Sequence, residues 1–510
     1  MSSEANLIGL LAGADADAAA IGAVDAAPLA FGALRPLVER SVEALNAAGI
    51  GRGDRVGIVM PNGPALATAF LGVAAAATAC PLNPAFREEE FAFYLADLRA
   101  RALLVERGSR SPAVGVARRL GICLLEAIPV ADAAGAIGIV ATDGSPAAVA
   151  RGGPAAAGDV ALILHTSGTT SRPKIVPLTH ANLQASARNV AATLRLTPAD
   201  RHLNVMPLFH IHGLVAGLLA PLAAGSGVVC TPGFNALKFF PWLAQCQPTW
   251  VTAVPTMHQA ILARGDRDRP HAAHRLRLLR SSSAAMPPQA MARLEALFDA
   301  PLIEAYGMTE ASHQMASNPL PPGRRKPGSV GPAAGVELSI MDEAGRLLPQ
   351  GSTGEIVIRG PGVTAGYENN PQANAAAFVG GWMRTGDQGA LDGDGYLSIT
   401  GRLKEIINRG GEKISPREVD EVLLDHPAVA QAVTFAVPHD TLGEDVGAAV
   451  VLHAGETVSE RELRGFAGNR LADFKVPRRI VFLDEIPKGA TGKLQRIGLA
   501  ARLGLAPAPG

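Results

Sequence analysis

Short apolar runs alternate with alanine-rich helical stretches through much of this chain, and this alternation constrains the fold more than any other feature. Arg55 to Met60 has the character of a buried strand. A helical stretch over about Ala65 to Ala77 follows the turn Pro61-Asn62-Gly63-Pro64, and another strand-like run lies at Ala102 to Val105. The pattern recurs near Gly227 to Cys230, Thr249 to Ala253 and Leu276 to Arg280. Such alternation predicts an α/β fold built in layers. After about Gly328 the texture changes to short β-like segments with glycine turns, at Glu337 to Met341, Gly354 to Arg359 and Tyr396 to Thr400, which predicts a β-rich subdomain.

A boundary is expected at Gly401-Arg402-Leu403-Lys404, dividing residues 1–401 from 402–510. Beyond it, Ser415-Pro416-Arg417-Glu418 reads as a capping box with proline at the first helical position. Val419, Val422 and Leu423 then mark a helical apolar face. Val433, Phe435 and Val437 alternate as a half-buried strand does. The second unit is therefore expected to be a small α+β domain. The alanine richness near residues 11 to 30 reads as a bias of composition.

The 510 residues, 48% of them hydrophobic, suffice for more than one core. Lysines and arginines number 46, as do aspartates and glutamates, a balance that argues against a nucleic-acid binder. Cys80, Cys123, Cys230 and Cys246 form no C-x-x-C pair, as expected for a reducing compartment without a zinc site. No basic n-region opens the chain, and runs such as Leu71 to Cys80 are too short to span a bilayer. The expectation is a cytoplasmic protein with neither membrane nor nucleic-acid partner.

Chemistry is concentrated in a few segments. The apolar run Ala161 to Leu164 leads into His165-Thr166-Ser167-Gly168-Thr169-Thr170-Ser171-Arg172-Pro173-Lys174. Hydroxyls and backbone N–H groups in such a loop can wrap phosphate oxygens, with Lys174 adding positive charge. The spacing is not that of a Walker A loop, and composition alone would also suit a solvated Ser/Thr loop. In Glu304-Ala305-Tyr306-Gly307-Met308-Thr309-Glu310, Tyr306 offers a flat face for a nucleobase, Thr309 a hydroxyl for phosphate, and Glu310 a hard oxygen for Mg²⁺. Alone, that segment also reads as a helix N-terminus. Asp387 in Thr385-Gly386-Asp387 can accept from ribose hydroxyls with Arg402 in support, or be a turn aspartate beside a surface arginine. Lys493 in Thr491-Gly492-Lys493 has meaning only if a nucleotide site lies within its reach.

Together and in this order, these motifs resemble the adenylate-forming enzymes: acyl-CoA synthetases, peptide-synthetase adenylation domains and firefly luciferase. The match runs from about Arg55 to Gln495. The resemblance implies a large N-terminal domain and a mobile C-terminal one hinged at Lys404. ATP, Mg²⁺ and coenzyme A are the implied cofactor and co-substrates, and a small carboxylic acid the implied substrate. The loop Thr166, Ser167, Gly168, Thr169, Thr170 to Lys174 is expected to hold the β- and γ-phosphates, and Glu310 the metal. Lys493 is expected to bridge the acid and the α-phosphate, with Thr309 contacting that phosphate. Glu304 and Tyr306 belong to the nucleotide site, Tyr306 stacking on adenine, while Asp387 and Arg402 fix the ribose. Rotation about Lys404 then brings Gly410, Gly411 and Glu412 to the pantetheine arm.

A narrower resemblance concerns the acid. Met206-Pro207-Leu208-Phe209-His210-Ile211-His212-Gly213-Leu214, Thr252 to Gln259 and Thr309-Glu310-Ala311-Ser312-His313 look like oxalate–CoA ligases, as does Ser171-Arg172 in place of Gly-Lys. The His-x-His-Gly-Leu segment also resembles malonyl-CoA synthetases. A small diacid needs donors around its second carboxylate, because a buried unpaired charge is costly. His210, Ser281, Ser283 and His313 are the candidates. His313 is placed one turn beyond Glu310 if Glu310 opens a helix. His210 also has a catalytic reading, since in this family a histidine there commonly gates the thiol tunnel. Rival readings are a synthetase for a fatty or aromatic acid, a module loading a carrier protein, and a non-catalytic nucleotide sensor. Ile175 departs from the family's usual glycine, which puts the exit of the phosphate loop in question.

Overall fold

The computed structural model describes residues 6–142, 148–166, 173–268, 274–487, 494 and 496–506. Among these, two large sheets build the N-terminal domain. The eight-stranded sheet runs in the order His313–Ser317, Leu302–Met308, Leu278–Ser281, Trp250–Ala253, Arg201–Asn204, Gly227–Cys230, Ala19–Ala23, Ala26–Ala30. Its pairings are parallel except at the two edges. The seven-stranded sheet runs Ile137–Ala141, Cys123–Pro129, Ala102–Glu106, Arg55–Val59, Thr78–Pro81, Val160–Thr166, Lys174–Thr179, again with antiparallel edges.

The helix Pro64–Ala76 shows how the two sheets are joined. Every residue from Leu66 to Ala76 is buried, and the helix packs against strands of both sheets. A helix apolar on all sides has no solvent face to offer, so it belongs between layers. Its alanines and Gly72 keep it slim.

The β-rich subdomain is a six-stranded sheet among the described residues, built on Glu337–Met341, Thr353–Arg359 and Trp382–Leu391, with Leu397–Arg402 paired to the last. The small C-terminal domain has a five-stranded sheet carrying the helices Pro416–Leu424 and Glu460–Gly468, with Ile407, Val419, Leu423, Val446 and Leu463 in its own core. Among the described residues no helix is long and apolar enough to cross a membrane.

Three local expectations need correcting. The alanine-rich start is structure, not bias: Ala19–Ala23 and Ala26–Ala30 are paired strands, the first lying parallel to Gly227–Cys230. Ser415 Oγ does cap Pro416–Leu424, accepting from Glu418 N at 3.4 Å. The Glu418 carboxylate does not close the capping box; it accepts from Lys475 Nζ at 2.6 Å instead. Finally, Glu310 does not open a helix. Thr309–Ala311 is a single 3₁₀ turn, after which His313 begins a strand at φ 104°.

Candidate active site

The antiparallel register of Val160–Thr166 and Lys174–Thr179 sets Thr166 opposite Lys174, so the two ends of the phosphate-loop segment meet. Ser167, Gly168, Thr169, Thr170, Ser171 and Arg172 lie outside the described residues. Ile175 pairs with His165 and is buried beside Ile163 in the core, in ordinary strand backbone. A β-branched residue suits that place, and no positive φ is asked of it.

Lys174 connects to Glu310 through a residue that sequence reading did not single out. Its Nζ sits 4.3 Å from the Tyr367 ring centroid, and the Tyr367 hydroxyl donates to Glu310 Oε1 at 2.8 Å. Burial, and then the Glu310 carboxylate, push the Tyr367 phenol up, so it remains a donor. Glu310 is itself buried, and its backbone O accepts from Thr364 N at 2.7 Å. Thr309 adjoins it in the same turn. Tyr367 therefore touches both the Lys174 ammonium and the Glu310 carboxylate.

Tyr306, Asp387 and Arg402 meet in the structure. Asp387 lies opposite Arg402 in the paired strands Trp382–Leu391 and Leu397–Arg402. Its Oδ1 accepts from Arg402 Nε at 3.1 Å, and its Oδ2 from the Tyr306 hydroxyl at 2.5 Å. The Asp387 charge raises the Arg402 pKa, and burial raises that of Tyr306 well above its ordinary value.

Glu304, two residues before Tyr306, is buried. Its Oε1 accepts weakly from Met286 N at 3.4 Å, and Oε2 has no hydrogen-bond partner among the described residues. Burial chiefly raises its carboxyl from 4.5 to about 7. The folded state thus keeps a proton that the unfolded chain releases first, and stability falls as pH rises through that interval. Glu304→Gln is expected to be more stable than wild type by a few kcal/mol at about pH 8 and equal to it at about pH 4, as measured by chemical denaturation.

Of the residues expected around the acid, Ser283 and His313 meet at His212, which sequence reading had not chosen. His210 is half-buried and packs on the neighbouring Phe209, ring centroids 4.7 Å apart. His212 opens a π-helical segment, His212–Leu219, a form of helix met mostly at functional sites. Gly213 permits it, because a Cβ there would lie 2.2 Å from Pro207 O. His212 Nδ1 lies 3.1 Å from Ser283 Oγ and Nε2 lies 2.7 Å from Thr252 Oγ1. The ring stacks on His313 with centroids 4.8 Å apart, and both histidines are buried. Thr252, Ser281 and Ser283 sit in or just beyond the strands Trp250–Ala253 and Leu278–Ser281. The cluster thus occupies the carboxyl ends of parallel strands, the usual binding edge of such sheets. Ser281 Oγ, also buried, has no partner among the described residues. Ser283, Ser312 and His313 all carry positive φ, at 76°, 51° and 104°. Backbone strain of this kind clusters at functional sites.

Lys493 lies outside the described residues. Three positions later, Arg496 bonds Glu405 Oε2 at 3.1 Å and Asp420 Oδ2 at 2.9 Å, which ties the chain after the lysine to the segment just past Lys404. Gly410 and Gly411, with φ of 59° and 99°, turn the hairpin Ile407–Arg409 to Glu412–Ile414. Their amides donate to Leu442 O and Asn408 Oδ1, within the C-terminal domain.

Comparison with known proteins agrees with this geometry. The family model described as AMP-binding enzyme matches residues 12–368, and that of the AMP-binding enzyme C-terminal domain matches residues 418–493. An oxalate–CoA ligase of Arabidopsis thaliana is 47% identical over 474 residues, covering 91% of each chain. One from Saccharomyces cerevisiae is 44% identical, covering 87% of this chain and 86% of its own. A sulfoacetate–CoA ligase of Cupriavidus necator is 37% identical, covering 92% of each. Among solved structures, ATP-bound MatB from Rhodopseudomonas palustris superposes with a TM-score of 0.86 at 29% identity, covering 96% of this chain and 97% of that one. The chain belongs to the AMP-binding acyl-CoA synthetase family and is an AMP-forming acid–thiol ligase resembling oxalate–CoA ligase, with a carboxylic acid, ATP and CoA as its substrates.

Proposed function

We propose that the acid is oxalate, activated as oxalyl-adenylate and transferred to CoA. The observation that carries this reading is the cluster of buried His212, His313 and Thr252 with the half-buried Ser283. A fatty or aromatic acid calls for a deep apolar chamber, whereas donors in such a place suit a second carboxylate that must stay charged while the first reacts. The relatives add support: two are named for oxalate and one for sulfoacetate, each an acid with a second anionic group.

In the first half-reaction a carboxylate oxygen of the acid bonds to the α-phosphorus of ATP as the bond to pyrophosphate breaks. Thr166 to Lys174 hold the outgoing phosphates, Thr309 contacts the α-phosphate, and Lys493 lies between it and the attacking carboxylate. Tyr306, Asp387 and Arg402 hold the nucleoside, with Glu304 at its edge. Glu310 contributes one hard, buried oxygen that would hold a Mg²⁺. Bound there, the ion supplies charge that offsets the repulsion between two anions. Tyr367 keeps Glu310 and Lys174 in one arrangement. In the second half-reaction the 402–510 domain turns about Lys404 and Gly410-Gly411 lines the approach of the pantetheine arm. The CoA sulfur bonds to the acyl carbon and AMP leaves.

The test is pyrophosphate release across oxalate, malonate, acetate, octanoate and 4-coumarate. Oxalate is expected to give the highest kcat/KM, by about tenfold or more over each of the others. A preference for octanoate or 4-coumarate would overturn the reading.

A further inference from the structure

Behind the histidine pair lies a charge that the reaction scheme above does not use. Arg280, on the strand Leu278–Ser281, is fully buried. Its NH1 donates to Thr252 Oγ1 at 3.3 Å and its NH2 to Gln314 Oε1 at 3.2 Å, while Nε has no partner. Both acceptors are neutral, and no carboxylate pairs with this guanidinium among the described residues. Burial lowers its pKa only to about 9, so it remains a cation at neutral pH. Its field reaches His202, one strand beyond Trp250–Ala253 in the same sheet, which burial first, and Arg280 in smaller part, hold down at about 3. A buried cation without an anion is expensive to keep, and its nearest polar route leads to the acid side.

That route sets hydrogen positions. Thr252 Oγ1 accepts from Arg280, so its own hydrogen can point at His212 Nε2, 2.7 Å away. His212 then carries its proton on Nδ1 and donates to Ser283 Oγ at 3.1 Å. The hydroxyl hydrogen of Ser283 is then left to donate to a bound acid. Gln314 fixes the other end, its Nε2 donating to Thr193 Oγ1 at 3.0 Å.

We propose that Arg280 is a positioning and specificity-determining residue: acting through Thr252 and His212, it aims the Ser283 hydroxyl and supplies the buried positive charge that favours a doubly charged acid over a singly charged one. The assignment rests on the reading of the acid as oxalate. Arg280 need not touch the acid; the second carboxylate balances its charge across the Thr252–His212 link. A purely structural arginine, there only to tie Thr252 to Gln314, would serve every acid alike.

The discriminating pair is oxalate and oxamate, which share one shape but differ in a carboxylate replaced by a neutral amide. Pyrophosphate release is measured with each on wild type, Arg280→Met, Arg280→Lys and Thr252→Val. Arg280→Met is expected to lower kcat/KM for oxalate about tenfold to a hundredfold while oxamate changes little, so that the ratio collapses. Arg280→Lys should recover part of that ratio. Thr252→Val, which keeps the charge and breaks the link, should lower the ratio by itself, and it decides the matter if Arg280→Met does not fold. Equal losses for both acids in these variants would overturn the assignment while leaving the oxalate reading intact. A wild type that prefers a monoacid would overturn the oxalate reading, and this assignment with it.

Discussion

Gly307→Ala is expected to lower kcat/KM about 100-fold and to destabilise the protein by about 3 kcal/mol. A Cβ at this position would lie 1.7 Å from His313 O and 2.5 Å from His313 C. These are backbone atoms, so no rotamer change relieves the contact. Gly307 faces Gln314, and Met308 faces His313, across an irregularity in the pairing of Leu302–Met308 with His313–Ser317. Making room means pushing that strand away, and with it the His313 ring stacked on His212. Gly307's own strand, Leu302–Met308, carries Tyr306, so the Tyr306–Asp387 contact is disturbed too. Steady-state kinetics and chemical denaturation measure the two effects. A Gly307→Ala enzyme with wild-type kinetics would mean that the close approach of these strands is not needed for activity.

Lys493→Ala is expected to slow acyl-adenylate formation about 10³-fold while sparing thioester formation from preformed adenylate. The reasoning is electrostatic. In the first step an anionic carboxylate approaches an anionic phosphate, and a cation between them stabilises the transition state more than the separated reactants. In the second step the nucleophile is a thiol and AMP departs, so this lysine has no charge pair to reconcile. Acid-dependent ATP–pyrophosphate exchange reports the first step, and CoA added to synthetic oxalyl-adenylate reports the second. Undiminished exchange in the variant would remove Lys493 from the catalytic assignment.

Much of this was legible in the sequence because it is local. Gly227–Cys230 and Glu337–Met341 are strands where short apolar or β-like segments end in turn formers, and Pro64 starts its helix where a proline is tolerated. Tyr306, Asp387 and Arg402 were grouped through family resemblance, and their meeting depends on strand pairings that no local rule supplies. Alanine hid Ala19–Ala23 and Ala26–Ala30, because a residue equally at home in helix, strand and surface carries no period. Their partners are more than a hundred residues away or unremarkable in composition. His210 and His212 look equivalent in a row of letters; the π-helical turn decides which one faces Thr252 and Ser283. Tyr367 and Arg280 had no motif around them. Their significance lies in what they meet at long range, Glu310 and Lys174 for the first, Thr252 and Gln314 for the second.

The two parallel sheets divide the labour in a way that bears on how such an enzyme changes its acid. The described ends of the Thr166–Lys174 segment belong to the seven-stranded sheet, whereas His212, Thr252, Arg280 and Ser283 come from strands of the eight-stranded one and the connections that follow them. Replacements in one sheet leave the strand pairings of the other in place, and effects of replacements that share no partners combine additively. A lineage can therefore exchange one acid for another by small steps without losing its grip on ATP along the way. The strand Leu302–Met308 is the exception, since it serves both sides at once. It is the place where drift toward a new substrate meets resistance.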